Sequence, residues 1–254
     1  MPRASTSERP GPIATVPVEW SIVIPAYDEA RRLPRYLSEV VAYFDGRGAP
    51  YEVLVADDGS RDGTPGVVEE AARRHPAVRL LRSEVNQGKG AAVRRGMLAA
   101  RGLVRLFTDA DGATPITEVK RLEAALAAGA DVAIGSRGLP DAGVMVSARR
   151  HRVLAGRVFN WLVARLGLEG IADSQCGFKA FTAAAAERLF AALVTPGFGF
   201  DVELLLRARA AGLRVSEVAV NWMDQPGSKS GVLTDGPRML GEVVLARLRI
   251  GRGG

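Results

Sequence analysis

The stretch Leu106–Pro115, LFTDADGATP, ends an apolar run on two carboxylates and a turn. Leu103–Phe107 reads as a buried strand, and Gly112 and Pro115 then force the chain away. Asp109 and Asp111 are two residues apart. In an extended segment such side chains share a face, so both carboxylates can converge at a strand's C-terminal end, where open α/β sheets bind ligands. Two hard oxygen donors there suit a Mg²⁺ or Mn²⁺ that also holds a diphosphate. Alone, D-x-D is equally well an acidic turn, and the rest of the chain decides between the two.

Upstream, Trp20–Pro25 (WSIVIP) and Tyr51–Ala56 (YEVLVA) read as buried strands, and Val78–Leu81 as a short one. Between them, Glu29–Phe44 has helical periodicity through Leu33, Leu37, Val40, Val41 and Phe44, and Thr64–Arg74 reads as a second helix. Asn86-Gln87-Gly88-Lys89-Gly90 opens a third, running to about Ala100. Downstream come a helix at Ile116–Ala128 and a strand at Asp131–Gly135. Strands alternating with helices of this length predict right-handed βαβ units, an α/β fold on a mostly parallel sheet flanked by helices. After Arg137 the pattern loosens. Gly138–Ser147 reads as a loop, Ala148–Leu166 as a long basic helix, and Asp173–Thr182 as an extended piece. Phe200–Ala211 is helical, Arg214–Val220 a strand, Asp224–Thr234 a Gly/Ser loop, and Pro237–Ile250 an amphipathic terminal helix. The expected organisation is a disordered tail at 1–17 and one domain at 18–254. Within it, 18–137 forms a nucleotide-sugar-binding half and 138–254 an acceptor half.

With 254 residues, 47% hydrophobic and 24% charged, the chain can bury a full core. The single cysteine, Cys176, excludes an intramolecular disulfide and fits a reducing compartment as a small apolar residue. The net charge of +6 is uneven: residues 138–254 hold 15 Lys+Arg against 10 Asp+Glu, and residues 1–137 hold 19 against 18. The second half therefore carries the attraction for anions. No basic block interleaved with aromatics suggests a nucleic-acid face. No apolar run approaches the length of a membrane-spanning helix, and residues 1–17 lack an apolar signal core. The expectation is a cytoplasmic protein able to sit peripherally at the inner face of a membrane.

Three strand ends carry polar residues: Pro25-Ala26-Tyr27-Asp28-Glu29, Ala56-Asp57-Asp58-Gly59-Ser60 and Asp109-Ala110-Asp111. In a parallel sheet these ends lie on one edge and can hold a base, a ribose and a diphosphate in series. Carboxylates accept charge-assisted hydrogen bonds from ribose hydroxyls and base N–H groups. Each of Asp28, Asp58 and Asp62 is singly a plausible helix cap. Lys89, beside Gly88 and Gly90 at a helix N-terminus, is placed to meet an anion or to face solvent.

In order, VIPAYDEA, VADDGSRDGT, NQGKGAAVRRGM and TDADGATP resemble the family 2 glycosyltransferases of the GT-A fold. Gly135–Arg137 (GSR), Asp173–Phe181 (DSQCGFKAF), Phe200–Leu205 (FDVELL) and the Val220–Lys229 run narrow the resemblance to dolichyl-phosphate beta-glucosyltransferases and bacterial polyprenyl-phosphate relatives. It spans about Val18 to Leu248. It implies that Pro25, Ala26, Tyr27 and Glu29 flank the nucleoside, with Ala56, Asp57 and Asp58 at uracil or ribose. Asp109, Ala110 and Asp111 would meet the sugar and the metal–diphosphate, with Asp109 and Asp111 as metal ligands. Arg137 and Lys229 would neutralise the departing diphosphate, with Lys89 beside it. Ala113 stands where related mannosyl-phosphate enzymes carry a polar metal-binding residue, so the metal shell would lean on water and substrate. The relatives also carry membrane helices, which this sequence lacks.

The implied reaction is inverting transfer of a hexose, glucose from UDP-glucose, to a polyprenyl or dolichyl phosphate, assisted by Mg²⁺ or Mn²⁺. A phosphomonoester acceptor with a second pKa of about 6 is largely dianionic at pH 7. Cations to hold it matter more than a strong base. Arg149, Arg152 and Lys179 are the candidates. Asp173 and Asp201 are candidate catalytic carboxylates beside Asp111, and sequence does not separate their roles. Transfer to a soluble acceptor is the alternative. A nucleotidyltransferase would begin with a Gly-rich basic loop after the first strand, which IPAYDEA is not. A nucleotide-sugar-binding module without turnover fits poorly with Asp109, Asp111, Arg137 and Lys229 together.

Overall fold

The structure is a computed structural model that describes residues 17–147, 156, 159–225 and 232–252. The tail at 1–17 (apart from residue 17), Arg149, Arg152 and Lys229 lie outside the described residues, as does most of the expected basic helix. Four strands, β1 (Trp20–Ala26), β2 (Tyr51–Asp58), β3 (Val78–Ser83) and β4 (Val104–Thr108), run parallel. They are linked by α1 (Leu33–Asp45), α2 (Thr64–Arg74) and α3 (Lys89–Ala99). Every residue of β1 is buried, as parallel strands covered on both faces require. Helix α1 starts at Leu33 and not at Glu29, because Arg32 and Leu33 N–H groups first turn back onto the Glu29 carbonyl. Its buried stripe is Leu33, Tyr36, Leu37, Val40, Val41 and Phe44.

A 3-10 turn at Ile116–Glu118 leads into α4 (Val119–Ala127) and β5 (Val132–Ser136). Then come β6 (Val146–Ser147), a π-helical turn at Ala164–Leu168, β7 (Phe178–Thr182), α5 (Ala183–Ala192), α6 (Phe200–Ala210), β8 (Val215–Ala219), β9 (Trp222–Met223) and α7 (Val232–Arg252). The main sheet has seven strands in the order β3-β2-β1-β4-β7-β5-β8, and β6 pairs with β9 separately.

Strand β7 is the departure from a simple βαβ alternation. It runs antiparallel between β4 and β5, with Lys179 opposite Phe107 on one side and Ile134 on the other. The expected extended piece is a strand only from Phe178; residues 173–177 form the turn that enters it. The expected loop at Gly138–Ser147 ends in β6, and α7 begins at Val232, inside the expected Gly/Ser loop. Alternation along the strands splits the core between the two faces of the sheet. Leu54 and Phe107 face α5 and α6, while Val53, Val55 and Leu106 face α1. Phe107 meets the Phe200 ring at 5.6 Å. That contact seats α6 beneath the end of β4, where the two aspartates emerge.

Candidate active site

The D-x-D turn is held from three sides. Thr108, the last residue of β4, shares a 2.6 Å hydrogen bond with the buried Tyr36 hydroxyl. The Asp109 N–H donates to the Gly177 carbonyl at 3.0 Å. Gly112 adopts φ 65° against the Tyr36 ring, a conformation and a clearance that only glycine supplies. Inside the turn, the Ala113 N–H donates to Asp111 Oδ1 at 3.1 Å. The backbone of Ala113 thus orients the carboxylate that its side chain cannot help.

Asp109 and Asp111 open into a cleft of about 340 Å³. Pro25, Ala26, Tyr27, Glu29, Asp58, Lys89 and Ala110 line it with them, so nine of the residues singled out in the sequence converge there. Arg32, Asn86, Gly88 and Phe198 complete much of the wall. Charges alternate across the floor. Lys89 Nζ lies 2.7 Å from Asp109 Oδ1, Arg32 Nη1 lies 3.9 Å from Asp111 Oδ2, and Arg32 is forked onto Glu29. Burial lowers the Lys89 pKa while the Asp109 and Asp201 carboxylates raise it, and the carboxylates prevail. Burial first, and then the adjacent Asp109 charge, pushes the Asp111 carboxyl above its ordinary range. Two hard oxygens crowded in this way suit a divalent cation, which would relieve their repulsion. Among the described residues no third His, Cys, Asp or Glu completes a metal cluster. A Mg²⁺ or Mn²⁺ held here would take its remaining ligands from water and phosphate, the usual arrangement for such ions.

Neighbouring aspartates of β2 behave differently because the strand alternates. Asp58 turns toward the cleft, where its carboxylate accepts from the Gln87 N–H at 3.1 Å and the Gly88 N–H at 2.7 Å, fixing the loop that launches α3. Asp57 points to the other face, fully buried, with Arg82 Nε at 3.7 Å and the Ser60 N–H at 3.4 Å. Ala56 is also wholly buried. Neither Ala56 nor Asp57, both expected beside the nucleoside, is among the residues that line the cleft wall. Asp28 is a cross-loop tie and not a cap, since the Arg61 N–H donates to its Oδ1 at 2.8 Å. Asp62 does both, its Oδ1 accepting from the N–H of Thr64 at the start of α2 at 2.9 Å and its Oδ2 from the Ala30 N–H at 3.1 Å. With Ser60 and Thr64, which accept from Asp28 N–H and Glu29 N–H, they lock the first two strand-end loops together.

The antiparallel β7 sets the other side. Lys179 is fully buried, with its ammonium donating to Asp201 Oδ1 at 2.5 Å and to the Cys176 carbonyl at 2.6 Å. It cannot meet an acceptor phosphate from that position. Asp201, in the first turn of α6, is equally enclosed; burial pushes its carboxyl up, and Lys179 offsets only part of that. Asp173 accepts a bidentate fork from Arg137, Nε at 2.6 Å and Nη2 at 2.8 Å, and also the Arg137 N–H at 3.0 Å. Burial opposes its charge, but Arg137 outweighs that and holds the carboxyl below the usual range. A carboxylate so occupied is a poor proton acceptor, and its direct work is to orient Arg137. The Arg137 guanidinium also lies 5.3 Å over the Trp222 ring. Cys176 is buried and its thiol is pushed up to about 12, chiefly by desolvation, so it is inert.

The sequence model of glycosyl transferase family 2 matches residues 21–190. The chain belongs to this family. Dolichyl-phosphate beta-glucosyltransferase of Drosophila melanogaster is 41% identical to this glycosyltransferase over 225 residues, covering 84% of this chain and 69% of the relative. The human protein of the same name is 36% identical over 242 residues, covering 90% and 75%. Among solved structures, glucosyl-3-phosphoglycerate synthase from Mycobacterium tuberculosis, in complex with Mn²⁺, UDP and phosphoglyceric acid, superposes with a TM-score of 0.65 at 20% identity. That superposition covers 92% of this chain and 78% of the synthase. The synthase bound to UDP gives 0.66 at 22% identity, covering 96% and 86%. The glycosyltransferase therefore has the GT-A fold.

Two parts of the glycosyltransferase site escaped the sequence reading. Arg32 gave no signal beyond a common helix-start arginine. Gly177 sits so close to Asp109 that a Cβ there would fall on the carboxylate. Gly177→Ala is therefore expected to displace Asp109 and weaken metal-dependent UDP binding about tenfold or more, with the melting temperature little changed. Calorimetry beside a thermal melt checks this; unchanged UDP affinity would mean that Asp109 is not fixed by Gly177.

Proposed function

We propose that this glycosyltransferase moves glucose from UDP-glucose to a polyprenyl phosphate, with Mg²⁺ or Mn²⁺ held at Asp109 and Asp111. The observation that carries the donor half is the crowded aspartate pair at the mouth of a cleft walled by three strand-end loops, with Lys89 bound to one member. The acceptor half is supported by the relatives named dolichyl-phosphate beta-glucosyltransferase, whose likeness runs through most of the chain.

Tyr27 and Asp58 would border the nucleoside, and Asp109 and Asp111 would hold the ion. Bound there, the ion supplies Lewis-acid stabilisation of the departing diphosphate. Lys89 adds a fixed positive charge at the same point. The acceptor phosphate oxygen attacks the anomeric carbon from the face opposite UDP, so that the new C–O bond forms as the bond to UDP breaks, with inversion. At pH 7 that oxygen is already anionic, its second ionisation lying at about pH 6. No strong base is demanded, in keeping with Asp173 and Asp201 both being committed to cations. Arg137, held by Asp173 yet partly exposed, offers a guanidinium of fixed orientation to phosphate.

Among the described residues no helix is long and apolar enough to cross a membrane. Helix α7 buries Met239, Val243 and Ala246 and exposes Val244, Leu245 and Leu248. Its outer face is thus suited to shallow contact with a lipid surface. A panel of nucleotide-sugars offered with a polyprenyl phosphate or a soluble phosphorylated acceptor, with and without Mn²⁺, tests the whole reading. UDP-glucose and polyprenyl phosphate are expected to give the fastest, metal-dependent product. Faster transfer to the soluble acceptor would replace the lipid reading with a soluble one.

A further inference from the structure

Among the described residues of the cleft wall, Arg32 is the cation that the reaction above leaves without a task, and Glu29 is its partner. It is the N-cap residue of α1, so its backbone is fixed by the turn that begins the helix. One edge of its guanidinium is locked: Nε donates to Glu29 Oε2 at 2.6 Å, and Nη2 donates to Glu29 Oε1. The third nitrogen, Nη1, points the other way. It is shut off from solvent and has no hydrogen-bond partner. The Asp111 carboxylate lies 3.9 Å from it, close enough to feel the charge and too far to accept a hydrogen bond.

Buried N–H groups normally find acceptors, so a charged one without a protein partner is a place where an acceptor on a ligand can bind. The fork on Glu29 turns this nitrogen toward the Asp111 carboxylate, at the edge of the cleft. An anion entering with the donor would therefore meet a pre-aligned, charged donor at no further cost in side-chain entropy. Lys89 already gives Asp109 a hydrogen-bonded counter-ion at 2.7 Å. Arg32 gives Asp111 an ion pair without a hydrogen bond, which is the easier of the two to surrender.

We propose that Arg32 is the resident counter-ion of Asp111, which yields that carboxylate to the divalent ion and then donates Nη1 to the diphosphate of the nucleotide-sugar. The inference rests on the metal–diphosphate reading of the cleft. It demands effects of opposite sign. Without nucleotide, the Arg32 charge competes with the metal for Asp111. With nucleotide, the same charge binds the diphosphate.

The test follows Mn²⁺ by electron paramagnetic resonance and UDP by calorimetry, in wild type, Arg32→Gln and Arg32→Lys. Arg32→Gln is expected to bind Mn²⁺ alone about threefold or more tighter than wild type. It is expected to bind UDP at saturating Mn²⁺ about tenfold or more weakly. Arg32→Lys retains the charge without the fork, so its affinity for Mn²⁺ alone stays at the wild-type value while UDP binding falls several-fold. Should Arg32→Gln fail to fold, the lysine variant carries the test of the diphosphate contact, through weaker UDP binding at unchanged Mn²⁺ affinity. Both affinities falling together in either variant would mark Arg32 as a structural residue and overturn the proposal, as would no change in either. A wild-type protein that binds no Mn²⁺ even with UDP would overturn the metal reading itself, and this inference with it.

Discussion

Asp111→Asn is expected to lower kcat/KM by about three orders of magnitude, or about 4 kcal/mol, without unfolding the protein. Asparagine keeps the size of the side chain and an oxygen that can still accept from the Ala113 N–H, so the turn survives. The change removes the anionic oxygen that a divalent ion requires. It also removes a charge that burial and Asp109 already disfavour. Metal-free Asp111→Asn is therefore expected to melt no lower than wild type. Kinetics at saturating Mn²⁺ beside a thermal melt check both halves. Near-normal turnover in the folded variant would remove Asp111 from the metal site.

Lys179→Met is expected to destabilise the fold by about 3–5 kcal/mol, because it leaves the Asp201 carboxylate buried without its partner. The pair lies under the cleft, and the Lys179 ammonium also holds the Cys176 carbonyl. The next residue, Gly177, receives the Asp109 N–H. Loss of the lysine thus slackens the support of Asp109 as well as the core. Lys179→Met combined with Asp201→Leu removes both charges and is expected to recover most of the stability, since an apolar pair can replace a buried ion pair. Urea denaturation measures each variant. A loss below about 1 kcal/mol in the single variant would mean that water reaches Asp201 and that the pair is not buried in solution.

The first half of the fold was readable because its strands are short apolar runs ended by Asp, Gly or Pro, and because α1 carries an unbroken apolar stripe. Asp109 and Asp111 were readable as a carboxylate pair closing an apolar run, although the structure brings them together through a turn after Thr108 and not through strand alternation. Contacts between distant residues were not readable. Lys179 looks like a surface cation in sequence, and only Asp201, brought over it by α6, makes it a buried one. Asp173 looks like a base until Arg137, from the end of β5, forks onto it. The insertion of β7 between β4 and β5 has no local signature, because an isolated strand of five residues carries no mark of its partners. Helix α5 begins with four alanines, which form no apolar stripe to read; its start is set by Thr182 accepting from the Ala185 N–H. Asp57 and Asp58 show the limit from the other direction. As adjacent residues of one strand they face apart, so Asp58 lines the cleft while Asp57 packs against Arg82 and Ser60, a division that the D-D pair does not announce by itself.

The central claim is that the cleft is a metal–diphosphate site, and calorimetric titration of UDP into the wild-type protein with Mn²⁺ and again with chelator tests it most directly. The expected result is binding tighter by about tenfold or more when Mn²⁺ is present, with the difference abolished in Asp111→Asn. Equal UDP affinity with and without Mn²⁺ in the wild-type protein would contradict it.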